Sequence, residues 1–251
     1  MFQVNRCDGV AILTLAHGKA NAFDLEFSQG LTQQLERLHA SDARAVVITS
    51  TGAIFSAGVD LVRLLHEGVG YVQGFLGALT GCFEAAMLFP KPLVAAINGH
   101  AIAGGCILGC CADRRVMMRG PGRVGVPELL VGVPFPAVAL ELLRLTAAQQ
   151  YLQEIVLSGA TFSGEEALRR GLVDEMVEPG ELLDRAVAHA ARMAALQPEA
   201  FAITKLQLRA PIVERVRQSA ANEAAVMQYW TSPKALDAIR AYVDRTLKKK
   251  S

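Results

Sequence analysis

KPLVAAINGHAIAGGC, Lys91 to Cys106, is the stretch whose reading decides the fold. Leu93 to Ile97 is a short, uninterrupted apolar run, the pattern of a buried strand. Pro90 and Pro92 stop the helix that precedes it, and Asn98-Gly99 turns the chain. The pair Gly104-Gly105 then opens a second apolar segment, Cys106 to Cys111, with no acid, base or nucleophile of obvious use. A glycine pair at a helix start has a physical meaning. The first N–H groups of a helix have no partner within it, and without a Cβ a ligand atom can approach them closely.

The same order recurs upstream. AVVIT, Ala45 to Thr49, reads as a buried strand, TGAIFSAGVD as a glycine-punctuated loop, and Leu76 to Phe89 as a helix. Before them, Val10 to Leu15 is a β-rich run and HGKANAFD a turn. Leu25, Leu31, Leu35 and Leu38 then recur at helical spacing. Strand, loop and helix alternate, which defines an α/β class. No G-x-G-x-x-G follows the first strand and no Walker loop is present, so the pattern is not that of a nucleotide-binding fold. From about Thr146 the chain reads as mostly helical. The expected division is a core over 1–195 and a helical oligomerisation region over 196–251, rich in Ala, Leu, Arg and Glu.

Composition narrows the function. The chain has 251 residues, 52% of them hydrophobic, enough for one large domain with ample core. A net charge of +1 gives no electrostatic reason to expect nucleic acid or an acidic membrane as partner. Lys248 to Lys250 read as a solvated tail. The five cysteines lack a C-x-x-C pair and sit mostly in apolar surroundings, which fits reduced thiols and a cytoplasmic location. Cys106 and Cys110 share a helix face, but no His or carboxylate joins them, so no metal is expected. The start, MFQVNRCDGVAILTLAHG, has a short apolar run with Asp8 just before it and reads as strand rather than signal peptide. No run approaches the roughly 18–20 apolar residues of a membrane span.

AGG, residues 103–105, is a candidate backbone donor to an anion or oxyanion, and FSAGVD, residues 55–60, a second. Two such N–H groups that converge make an oxyanion hole. Each alone is equally an ordinary tight turn. Glu128 alone reads equally well as a loop carboxylate capping the following segment.

Taken together, these segments resemble the crotonase, or enoyl-CoA hydratase/isomerase, superfamily, in order and over essentially the whole chain. KANAF (Lys19 to Phe23) resembles the family's loop around the CoA adenine and phosphate end. FSAGVDL (Phe55 to Leu61) is similar to its first oxyanion segment, and KPLVAAINGHAIAGGC to its second. VPELLVGVP (Val126 to Pro134) resembles its catalytic-acid segment, and LSGATFSGEEALRRGLVDEMV (Leu157 to Val177) a later structural one. The resemblance implies a spiral of β-β-α units with a helical C-terminal part that assembles trimers, often stacked as hexamers. It implies thioester-oxygen donors at Val59 and Gly104, with Ala103 replacing the first of three family glycines. It places Lys19, Ala20, Ala57, Asp60, Leu61, Tyr242 and Arg245 at the substrate or CoA, with Arg245 and Lys19 as phosphate partners. CoA enters as part of the substrate, and no separate cofactor is expected.

One departure bears on the reaction. Hydratases of the family use two glutamates. The resemblance puts one at Glu128, but the other position is Ile107, an acyl-pocket residue that can neither ionise nor hold a water. A single carboxylate is enough to shift a double bond, and SAGVDL, AGGCIL and YWTSPKALDAIRAYVDRTLKK are similar to the monofunctional 3,2-enoyl-CoA isomerases of β-oxidation. A hydratase with a substituted mechanism, His66 serving as second acid, and a silent acyl-CoA-binding member are the alternatives. VRLLHEGVGYVQG (Val62 to Gly74) is expected to line the acyl pocket, Asp60 to hold its loop, and Asp113 to meet Arg114, Arg115 or a nearby backbone group.

Overall fold

The computed structural model describes residues 1–246, so the Lys248–Lys250 tail lies outside the described residues. The chain opens on a hairpin, β1 (Phe2–Cys7) and β2 (Val10–Leu15), whose two-residue turn has Asp8 and Gly9 both at positive φ. That is the turn geometry that suits antiparallel strands. Helix α1 (Leu25–Ala40) follows, capped by Asp24, whose side chain accepts the Phe27 N–H at 2.7 Å.

Three β-β-α units come next. They are β3 (Ala45–Ser50) and β4 (Ile54–Ser56) with α2 (Leu61–Glu67) and α3 (Val69–Met87); β5 (Leu93–Ile97) and β6 (His100–Ile102) with α4 (Gly104–Cys111); and β7 (Arg114–Met118) and β8 (Arg123–Gly125) with α5 (Glu128–Val131). In each unit the first strand joins a six-stranded sheet, ordered β1-β2-β3-β5-β7-β10. The second joins a four-stranded sheet, ordered β4-β6-β8-β9. Helices α6 (Ala137–Thr146), α7 (Leu152–Ser158), α8 (Gly164–Arg169) and α9 (Leu182–Ala194) follow, interrupted by β9 (Thr161–Ser163) and β10 (Glu175–Val177). The chain ends in α10 (Pro198–Gln218), α11 (Ala220–Trp230) and α12 (Pro233–Thr246).

TGAIFSAGVD is therefore not all loop, because it contains β4. The helix expected over Leu76 to Phe89 begins earlier, at Val69, and stops at Met87. The stretch after Thr146 carries two short strands among its helices.

The main core lies between the two sheets and α1, α3, α4 and α6, where Phe23, Phe27, Phe55, Phe75 and Phe83 are fully buried. Burying such a ring stabilises by roughly 1.5–3 kcal/mol. A second apolar layer, including Val47, Val94 and Val116, is covered by Ala186 and Ala190 of α9. The C-terminal helices fold back on the same chain. Ile239 and Val243 of α12 enter the main core, and Lys205 and Arg209 of α10 reach Asp113 at 2.7 and 3.3 Å. Asp113 also accepts the Leu93 N–H at 2.8 Å, so a backbone group does hold it. Its charged partners are not Arg114 and Arg115, which pair with Glu175 and Asp174. Among the described residues no helix is long and apolar enough to cross a membrane.

Candidate active site

The second strands of the three units, β4, β6 and β8, lie side by side and parallel. Their C-terminal ends therefore deliver three loops to one place: Ala57–Asp60 after β4, Ala103–Gly104 after β6, and Pro127–Glu128 after β8. Val59, Gly104 and Glu128 line one cavity of about 90 Å³ there.

The direction of the Val59 N–H follows from its neighbours. Phe23 donates to the Gly58 carbonyl at 2.7 Å and accepts from the Asp60 N–H at 2.9 Å, forming a parallel bridge opposite Val59. In such a bridge the central residue turns its own N–H and carbonyl away from the partner. Val59 thus turns its N–H away from Phe23, and the residue lines the cavity. Gly104 is the first residue of α4, with no side-chain cap on that helix. Among the described residues neither N–H donates to another backbone group.

The two donor segments touch. Gly58 sits at φ +83, and a Cβ there would fall 2.6 Å from the Ala103 Cβ and 3.1 Å from the Gly104 nitrogen. A Cβ on Gly105 would fall 2.4 Å from the Ser56 carbonyl oxygen. Only glycine permits this closeness. Ala103 holds φ 50 and ψ −122, a conformation that disfavours any residue with a Cβ.

Glu128 begins α5, and its Oε2 is buried with no hydrogen-bond partner. Removal from water pushes its carboxyl up to about 8, from an ordinary 4.5. Ile107, 1% exposed, lines the same cavity. Leu79 and Phe83 of α3, Ala139 of α6 and Trp230 of α11 complete an apolar wall. The Trp230 indole N–H is already engaged by the Pro134 carbonyl at 2.9 Å, so it offers the cavity no donor.

Ala57, Leu61 and Tyr242 also line this cavity, as expected. Ala20 sits beside it, its carbonyl accepting the Ala57 N–H at 2.9 Å. Asp60 holds its loop as expected, capping α2 by accepting the Arg63 N–H at 2.9 Å. Lys19 is exposed on the neighbouring loop and Arg245 stacks over the Tyr242 ring at 5.6 Å; neither lines the cavity. The Val62–Gly74 segment does not line it either. The wall uses Leu61 just before that segment and Leu79 and Phe83 beyond it. His66 is 86% exposed beside Glu67, which removes it as a second acid. Sequence reasoning misses the wall residues of α3, α6 and α11. Their apolar character is the same whether a helix faces core or cavity, and only Trp230, as the one tryptophan, is a visible marker.

Two sheets built by a β-β-α spiral, with a carboxylate and two glycine-bearing loops gathered at the ends of its second strands, define a crotonase fold. A family model described as enoyl-CoA hydratase/isomerase matches residues 5–249. The chain is 32% identical over 209 residues to a putative enoyl-CoA hydratase of Thermus thermophilus, covering 82% of each chain. It is 27% identical over 246 residues to mouse mitochondrial enoyl-CoA delta isomerase 1, covering 96% of this chain and 85% of that one. The crystal structure of human mitochondrial delta3-delta2-enoyl-CoA isomerase superposes with a TM-score of 0.94 at 25% identity, covering 100% of this chain and 99% of that one. The chain belongs to the enoyl-CoA hydratase/isomerase family.

Proposed function

We propose that the protein moves the double bond of a 3-enoyl-CoA to the 2-position, with Glu128 as the single proton shuttle. The observation that carries this reading is the pairing of Glu128 with Ile107. The cavity holds one unpartnered carboxylate, and an isoleucine stands where hydration would need a second.

The α-proton of a 3-enoyl thioester is acidified by both the carbonyl and the alkene. Glu128 removes it, and the electron pair moves through the carbonyl to the thioester oxygen. The Val59 and Gly104 N–H groups meet the resulting negative charge, each such donor contributing roughly 100- to 1,000-fold in rate. The glutamic acid then returns its proton to the γ-carbon, and the oxygen's electrons re-form the carbonyl with the alkene in conjugation. A base raised to about 8 suits both halves, since it must take and give the same proton near neutrality. The apolar wall excludes water that would protonate or add to the intermediate. On this reading the CoA portion is met by Lys19 and Ala20 of the loop before Ala57 and by Tyr242 and Arg245 of α12.

The test is a paired assay of purified protein on 3-hexenoyl-CoA and crotonyl-CoA, with Glu128→Gln alongside. Formation of 2-hexenoyl-CoA that disappears in the variant, with little hydration, is the expected result. Hydration as fast as isomerisation overturns it.

A further inference from the structure

The Val59 N–H can serve an oxyanion only if its direction is fixed, and the segment carrying it runs directly into α2. That helix is short. It buries Leu64, while Val62 is 55% exposed and His66 faces solvent. One side chain, Arg63, ties this helix to the start of α1. Arg63 donates to Asp24 Oδ2 at 3.1 Å and forks onto both Glu26 oxygens at 2.5 and 2.8 Å. Its guanidinium also lies 5.2 Å over the Tyr71 ring, and the Tyr71 hydroxyl accepts the Leu25 N–H at 3.0 Å.

The acceptors are themselves fixed. Asp24 is 5% exposed, caps α1 through the Phe27 N–H and meets His17 Nε2 at 2.8 Å. Phe23, one residue earlier, grips Gly58 and Asp60 through its backbone. The stretch Phe23–Glu26 therefore holds the Val59 segment at three points, by main chain at Gly58 and Asp60 and by side chains at Arg63. We infer that Arg63 is a positioning residue for the oxyanion donor, clamping the first turn of α2 so that the Val59 N–H and Leu61 keep their places on the cavity.

The residue type fits the task. A planar guanidinium can engage two carboxylates at once, and an ammonium cannot reproduce the fork. The pair with the half-exposed Glu26 adds little to global stability, and the bond to the buried Asp24 adds more. The effect of Arg63 on the reaction lies in aim. Misplacing a reacting group by about 1 Å costs on the order of 100-fold. Arg63→Ala is therefore expected to lower kcat by roughly 10- to 100-fold, with a smaller change in KM and a lower melting temperature, since the buried Asp24 loses a partner.

This inference rests on the donor assignment made for the proposed isomerase, so its test uses a signal that needs no turnover. Hexanoyl-CoA labelled with ¹³C at the carbonyl is bound to the full-length protein, and the C=O stretch is read by isotope-edited infrared spectroscopy. Hydrogen bonds from the two N–H groups move the band to lower frequency. The wild type is expected to show one shifted, narrow band. Arg63→Ala should return it toward the free position, Arg63→Lys and Glu26→Gln should lie between, and Arg119→Ala, which removes two surface ion pairs elsewhere, should leave it in place. The kcat on 3-hexenoyl-CoA is read in parallel. If Arg63→Ala does not fold, Arg63→Lys carries the comparison. A variant band and kcat within twofold of wild type overturn the inference. A wild-type band that shifts without isomerisation defeats the isomerase reading and leaves Arg63 judged on the band. A wild-type band that does not shift removes the donor assignment and the inference together.

Discussion

Replacing Glu128 by Gln should stabilise the protein, and by an amount that depends on pH. In the folded chain burial raises the carboxyl from 4.5 to about 8. In the unfolded chain it keeps its ordinary value. Between these two pH values the folded state holds a proton that the unfolded state has lost, so wild-type stability falls as pH rises through that window. The fall is absent below about 4.5 and complete above about 8. Each tenfold change in proton affinity between the two states is worth about 1.4 kcal/mol. The full effect therefore has a ceiling of about 5 kcal/mol, and water entering the cavity on ionisation reduces it to roughly 2–5 kcal/mol. Gln has the same shape and no charge to bury. Thermal melts of both proteins at fixed concentration from pH 5 to pH 9 should show the variant's advantage growing by roughly 4–10 °C, taking about 2 °C per kcal/mol at this chain length. The wild-type kcat/KM should rise over the same interval with an inflection near 8. A melting difference that stays flat from pH 5 to 9, or a rate inflection near 4.5, would refute the reasoning, because either result means that the carboxyl is solvated in the folded state.

Ile107→Glu should bring measurable hydration of crotonyl-CoA, at least tenfold above wild type by analogy with the 100- to 10,000-fold worth of a general acid or base, read by chromatography of the 3-hydroxyacyl product; isomerase activity should fall as the cavity takes in water. Ala103→Gly relieves the unfavourable φ of 50, worth about 1–3 kcal/mol and partly offset by the greater freedom of glycine in the unfolded chain; the melting temperature should rise by roughly 1–4 °C with kcat unchanged. Asp113→Asn leaves Lys205 and Arg209 buried without their carboxylate, and should cost about 3–5 kcal/mol in urea unfolding.

How far the sequence carries depends on element length. Strands of five or six residues, such as Val10–Leu15 and Leu93–Ile97, show a hydrophobic run long enough to be read. The strands of the smaller sheet have three residues each, too few for a period of two to be told from a turn. Yet that sheet aligns the loops of the site. The two loops proposed to carry the donors are legible because glycine is required where Gly58 and Gly105 meet other backbone. The walls are not, since Leu79, Phe83 and Ala139 belong to helices whose apolar faces look alike whether they meet core or cavity. Arg63 escapes sequence reading for a related reason. Its partners Asp24 and Glu26 lie nearly forty residues away, and nothing local announces the pairing.

The choice of isoleucine at position 107 links the reaction to the cost of the site. A second carboxylate there would share a water with Glu128 and lend its Oε2 a partner. Isoleucine does neither, so Oε2 stays unpartnered and the carboxyl titrates near 8. On the isomerase reading this is an advantage. A carboxylate with its ordinary value of 4.5 is a weak base toward a carbon acid, whereas one near 8 takes the proton more readily and still returns it without help from solvent. On the same reading, the apolar wall keeps water from quenching the intermediate. The feature that sets the base strength also lowers stability as pH rises from about 4.5 to about 8, so gain of stability and loss of isomerisation in Glu128→Gln should come from one cause. If further substitutions at position 107 lower the rate inflection, they should recover stability at pH 9 in proportion, and a variant that shifts one without the other would break the link.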